Sequence, residues 1–299
     1  MLTRRDADGS DAGTEGLAIH QAQHLVANAR DGDPAGRPSL QANGFERVSA
    51  KMTNPSLDFL DVRPVVRDYY PECAELVKSQ TEATEVFAFD HNVRSVAGKT
   101  KGRQIEGGQQ VQAPARIVHG DYTLTSAPQR LRDLARAPSE NDTYRAALGA
   151  GETLLDPDRV EQVLSGGRFA IINVWRNIVA EPVQRDPLAF CDAQSVRPEE
   201  LVVFEIHYAD RIGENYFAKS AEAHRWFVYP ELTRDEAVLI KQWDSAGRLS
   251  QTGGAQGDAS APADAPCTFS FHSAFYDPEM PEEAPARWSA EVRCIAFFD

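Results

Sequence analysis

From residue 168 to the C-terminus the chain reads as one short strand after another, and this limits the folds open to it more than any other feature. The segments 169–178, 188–196, 201–208, 215–218, 225–229 and 238–243 are rich in β-branched and aromatic residues and are broken by Pro, Asp or Gly. A Gly/Ala/Asp/Ser-rich stretch over 247–266 reads as a surface loop. Two last strands follow at 267–275 and 287–298, joined by the Pro-rich segment 277–285. Helical patterns gather in the N-terminal half. This order predicts a mainly β fold with flanking helices, an antiparallel barrel or jelly roll.

Ahead of the strands, residues 1–50 are polar, with a short helix predicted over 20–29, and read as a variable, mobile N-terminal extension. A helix is predicted over 69–78, and 85–94 reads as a strand running into a polar turn that holds His91. Pro128 suits the first turn of a helix, and a helical insert is expected near 127–164, with Ser139 and Asp156-Pro157 as caps. Residues 51–299 are therefore expected to form a single domain. No internal repeat is visible.

The stretch 116–123 (Arg-Ile-Val-His-Gly-Asp-Tyr-Thr) reads as a strand that presents His119 and Asp121 on one face. An imidazole and a carboxylate side by side are two thirds of the His₂-carboxylate set that holds non-haem Fe(II) and leaves positions open. With 7 His and 45 acidic residues in 299, chance alone supplies about one His-x-Asp/Glu triplet, so the pair needs partners elsewhere.

Three later histidines compete for the third position. His207 sits mid-strand and shares a face with Glu205, as a core or rim histidine would; His224 opens the strand 224–229. His272 has better company, because 268–278 pairs as a hairpin with 287–293 in this reading and brings Arg287 onto the partner strand. Arginine holds a carboxylate bidentately and stays charged when partly buried. Ser289, two residues on, adds a hydroxyl to the same face. An Fe(II) site with an arginine nearby suits a 2-oxo acid, chelated at its keto-acid end and anchored at its far carboxylate.

The series His119-Gly120-Asp121, His272 and Arg287 resembles the His-x-Asp…His…Arg pattern of Fe(II)/2-oxoglutarate dioxygenases. A closer resemblance is to the secondary-metabolism hydroxylase/desaturases that include the cephamycin methoxylation component, a fungal gibberellin desaturase and an aziridine-forming amino-acid oxygenase. The shared segments are 86–94, 118–123, 173–178, 187–193, 224–230, 241–245 and 272–293. This resemblance implies a double-stranded β-helix (cupin-like jelly-roll) core, with iron held by His119, Asp121 and His272. It also implies 2-oxoglutarate anchored by Arg287, with Arg293 the alternative by strand parity, and O₂ as co-reactant. Asn173, Trp175, Arg176, His224 and Tyr229 are the residues expected against substrate. Asp192 and Asp244 read as structural carboxylates.

The implied activity is oxidation of an unactivated C–H bond in a small secondary-metabolism molecule, by hydroxylation, desaturation or ring closure. An iron-free jelly-roll accessory protein is the alternative. A net charge of −14 with no basic stripe argues against nucleic-acid and membrane partners. Four scattered cysteines without CxxC spacing read as reduced thiols in a cytoplasmic protein, and no apolar run reaches membrane-spanning length. A homodimer is the expected assembly.

Overall fold

The computed structural model describes residues 2–5, 11–16, 18–31, 37–106, 108–207, 212–250 and 264–299. Tyr208 and most of the loop read over 247–266 lie outside the described residues. Two β-sheets face each other. The larger holds nine strands: β1 (Leu2–Arg5), β2 (Asp11–Glu15), β3 (Val26–Asn28), β6 (His119–Gly120), β8 (Leu188–Cys191), β9 (Leu201–His207), β10 (Ile212–Ala218), β11 (Trp226–Val228) and β13 (His272–Ala274). The smaller holds five: β4 (Phe45–Ser49), β5 (Glu85–Arg94), β7 (Arg168–Asn177), β12 (Glu236–Asp244) and β14 (Ser289–Phe298). The runs β5 to β8 and β11 to β14 pass back and forth between the sheets, which makes a jelly-roll core.

Alternation along the long strands decides what each layer receives. On β7, Trp175 turns inward and packs with Phe45, Phe190, Val238 and Ile240 between the sheets. Ile172 and Val174 turn outward and pack with residues of the helix Tyr70–Gln80, including Tyr70, Cys73 and Val77. Each sheet therefore has one face in the barrel, and the smaller sheet has its other face beneath helix.

Two expectations change. The strand around His272 and the strand that follows Arg287 do not form a hairpin: β13 pairs with β6 and β8 in the larger sheet, and β14 runs between β5 and β7 in the smaller one. The Pro-rich connection is long enough to cross the barrel, so the two strands meet face to face. Residues 1–50 supply strands to both sheets, with β4 antiparallel to β12 and β3 parallel to β11. These strands are three to five residues long, too short to show a period, and β3 takes the place of the helix expected over 20–29.

The insert contains the helix Ser126–Leu134, a 3₁₀ turn Thr143–Ala147 and the helix Pro157–Leu164. Asp156 caps the last of these, its side chain accepting from Arg159 N with Pro157 at the first helical position. Ser139 caps nothing; its backbone N–H donates to Asp142. Among the described residues no helix is long and apolar enough to cross a membrane.

Candidate metal centre

Strand pairing brings the two histidines together. His272 on β13 lies directly opposite His119 on β6, and opposite residues in an antiparallel pair share a face. Their rings sit 4.4 Å apart. β6 is only two residues long, so Asp121 stands just past its end at a bend, where its backbone N–H donates to Gln242 Oε1 at 2.9 Å. One ligand atom from each of His119, Asp121 and His272 falls within 4.8 Å of the others, and all three residues are buried.

Each side chain is turned for the purpose. His119 Nδ1 lies 2.8 Å from the Ile117 carbonyl oxygen; as a donor there, it leaves Nε2 facing the cluster, 3.7 Å from Asp121 Oδ1. Asp121 Oδ2 accepts from Asn173 Nδ2 at 2.9 Å and from Arg293 Nε at 3.1 Å, which leaves Oδ1 for another partner. His272 Nδ1 is buried and has no partner within the protein. Burial, with each imidazole beside the other, pushes His119 down to about 4, and burial lowers His272 as well. For Asp121 burial acts upward, but Arg293 and the two histidines outweigh it and hold the carboxyl well below the usual range. Two neutral imidazoles and one carboxylate, dry and with an orphaned ring nitrogen, are the donor set that a divalent iron takes.

The inner face of β14 continues the site. Arg293 donates to Asp90 at 2.9 Å as well as to Asp121, so its guanidinium is committed to two carboxylates. That separates it from Arg287, which donates to the Asp186 carbonyl, lies 5.5 Å over the Trp175 ring and has a buried Nε without a partner. Burial lowers Arg287 to about 10. Ser289 is also buried with an unpartnered hydroxyl. A carboxylate arriving here would meet two unpartnered donors, Arg287 Nε and the Ser289 hydroxyl. Asp186 itself sits at φ 51°, a left-handed conformation that Asp tolerates better than most residues.

Of the residues expected against substrate, the structure brings two to the centre. Asn173 bridges Asp121 and Glu291, and Trp175 lies beneath Arg287. Arg176 is corrected: one residue from Trp175, it faces outward and donates to Tyr69 Oη and the carbonyls of Ala50 and Arg234. His224 is likewise elsewhere, 2.8 Å from Glu200 and edge-on to Trp226, and does not join the metal cluster. Tyr229 is core, packed against Phe45 and Phe190. Asp192 and Asp244 are structural, paired with Arg225 and with Arg168 and Lys241.

Sequence reading missed Glu291, Asp90 and Gln242. The signal for Glu291 was present, since parity along β14 puts 289, 291 and 293 on one face. Burial pushes the Glu291 carboxyl up, and nearby Asp121 pushes it further. A cleft of about 560 Å³ opens in front of His119 and Asp121, lined by β5, β9, β10, the segment 109–117 and the insert.

Known proteins resemble this chain. The family model described as Oxidoreductase/YMDC permease-like domain matches residues 5–297. The alpha-ketoglutarate-dependent dioxygenase phiK of Fungal sp. (strain ATCC 74256) is 33% identical over 98% of this chain and 92% of its own length. The Fe(II)/2-oxoglutarate-dependent dioxygenase nvfI of Aspergillus novofumigatus is 30% identical over 86% of this chain and 77% of its own. Among solved structures, a variant of the iron and alpha-ketoglutarate-dependent endoperoxidase NvfI superposes with a TM-score of 0.69 at 22% identity, covering 99% of this chain and 93% of that one. That last likeness is one of fold.

Proposed function

We propose how this chain works from one premise: it belongs to the Fe(II)/2-oxoglutarate-dependent hydroxylase/desaturase family of secondary metabolism. It is an oxidoreductase, a dioxygenase that uses Fe(II), 2-oxoglutarate and O₂ to oxidise a small molecule. His119, Asp121 and His272 hold the iron, and Arg287 with Ser289 holds the far carboxylate of 2-oxoglutarate. The observation that carries this assignment is the buried cluster of two neutral imidazoles and one carboxylate at the inner end of a cleft. The names of the relatives support an enzyme over an iron-free accessory protein.

Iron held by that cluster would activate O₂, the oxidant, with 2-oxoglutarate as co-reductant, which is the chemistry that oxidation of an unactivated C–H bond needs. The protein supplies orientation and dryness. Asn173 and Arg293 occupy Asp121 Oδ2 and so present a single oxygen, Oδ1, to the metal. The Ile117 carbonyl fixes the tautomer of His119. The aromatic packing of Phe45, Phe190 and Tyr229 fills the closed end of the barrel, and the cleft opens in front of His119 and Asp121. Four free, buried cysteines and the use of Fe(II) support a reducing, cytoplasmic setting. A homodimer remains part of the proposal, and light scattering tests it.

The main test is 2-oxoglutarate-dependent O₂ uptake and succinate release by iron-reconstituted protein. Asp121→Ala and His272→Ala should abolish iron binding and both readouts, while His224→Ala keeps them. Retention of iron by Asp121→Ala, or its loss only in His224→Ala, sinks the ligand assignment.

A further inference from the structure

The three metal ligands are not held alike, and from that difference we infer that Gln242 is a positioning residue for Asp121. Its side-chain carbonyl fixes the main chain at a point where the strand before Asp121 has already ended. This rests on the iron site proposed above and names a residue through which that site keeps its geometry.

His119 and His272 belong to paired strands and stand opposite one another, so the ladder itself sets where their rings begin. The ladder between β6 and β10 stops at Gly120, opposite Tyr216. Asp121 is the next residue and sits at a bend. Asn173 and Arg293 grip its Oδ2. Those bonds orient the carboxylate, but they do not fix the main chain that carries it. The Asp121 N–H donates instead to Gln242 Oε1 at 2.9 Å, a buried bond. It crosses the barrel from β12 in the smaller sheet to the end of β6 in the larger.

The backbone of β12 is built to deliver that bond. Val238 and Ile240 point into the barrel and pack with Trp175, and alternation puts Gln242 on the same face. Pairing with β7 runs unbroken from Ala237 to Lys241, which lies opposite Ile172. It resumes at Trp243, opposite Ile171, so Gln242 is the extra residue. One extra residue in one strand is a β-bulge, a device that re-aims a side chain and recurs beside active sites. Gln242 is 0% exposed, and its Nε2 is buried without a partner. A position selected only for stability would carry an apolar side chain here, because a stranded amide nitrogen opposes folding. What the amide does supply is an acceptor for one N–H, and that N–H belongs to a metal ligand. Groups that orient a ligand without touching the metal are worth about 10- to 100-fold in metal affinity.

Two measurements on the full chain test this: anaerobic iron(II) titration against a competing chelator, and the visible spectrum of cobalt(II) bound in the same cluster. Gln242→Met keeps the length of the side chain and removes the acceptor. Gln242→Asn keeps the amide but falls one methylene short of Asp121, and gives a second reading should the Met variant not fold. Each should weaken iron about 10- to 100-fold and change the cobalt(II) spectrum, because the Asp121 oxygen moves. Ile240→Val trims the core on the same face, two residues back, without touching the bond. It should lower stability while leaving iron affinity and the cobalt(II) spectrum as they are. Unchanged iron affinity in either folded Gln242 variant overturns the inference, as does an equal loss in Ile240→Val. Failure of the unsubstituted protein to take up iron refutes the metal site itself, and the inference falls with it.

Discussion

The barrel interior has two halves built on the same strands by the same alternation, and they could hardly differ more. At the closed end Phe45, Trp175, Phe190, Phe227 and Tyr229 pack with Val238 and Ile240 into a dry apolar cluster. At the open end the inward positions of β5, β7 and β14 carry Asp90, Asn92, Asn173, Glu291 and Arg293. One strand can serve both, since Asn173 and Trp175 are two residues apart on β7. Apolar burial holds the sheets together; buried polar groups oppose folding unless each finds a partner. The polar half is therefore legible as site, because it keeps groups that stability alone would replace.

Breaking each half should give different signatures, and these are the largest effects expected. Phe190→Ala empties the centre of the apolar cluster and should cost about 3–5 kcal/mol in stability. Iron affinity of the protein that remains folded should not change. Arg293→Met strips the cation from Asp121 and Asp90 and should cost the iron-free protein about 3–5 kcal/mol as well. Iron(II) should restore much of that loss by replacing the missing positive charge beside Asp121. Thermal unfolding of both variants with and without iron(II) decides. If iron protects them equally, the two halves are not distinct in the way described.

A smaller effect separates the interior from the layer outside it. His91 faces away from the barrel, 3% exposed, with Nδ1 2.8 Å from the Tyr70 hydroxyl. Burial lowers it to about 4. The unfolded chain takes up this proton near 6.5, before the folded protein does, so stability is full above that pH and falls as pH drops toward 4. The loss is on the order of 3 kcal/mol. His91→Asn should flatten chemical denaturation midpoints measured between pH 4 and 6.5. A slope unchanged in the variant would place the acid sensitivity elsewhere, with His119 and His272 the next groups to test.

How far the sequence reveals this division depends on strand length. The strands β7 and β14 are ten residues each and stand out by their β-branched and aromatic runs. The two-residue β6 has no period of its own, and His119-Gly120-Asp121 was legible only as chemistry. Pairing was harder than placement. Nearness in sequence suggested a hairpin between the strands flanking 275–288, yet a jelly roll sends such neighbours to opposite sheets. Arg287 still looks into the barrel, because facing strands share the interior as hairpin partners share a face. Asn173 and Arg176 could not both have lined one pocket, and strand alternation alone forbade it. His224 was ambiguous for a different reason: its partner Glu200 lies 24 residues away, a separation that only the fold closes.

The smallest effect should carry the opposite sign. Ser289 is 1% exposed with an unpartnered hydroxyl, at the position opposite Arg94 on β5. A buried hydroxyl without a partner opposes folding by about 1–3 kcal/mol, so Ser289→Ala should leave the iron-free protein as stable as before or raise its stability by up to about 1 kcal/mol. Under the proposed anchoring of 2-oxoglutarate, the same hydroxyl would donate to the carboxylate beside Arg287. Ser289→Ala should therefore raise the KM for 2-oxoglutarate about tenfold, one lost hydrogen bond to a charged group, with little change in kcat. Stability measured without cosubstrate should hold or rise while affinity for 2-oxoglutarate falls. If stability falls and KM does not move, Ser289 is a packing residue and the carboxylate anchor lies with other groups of the cleft.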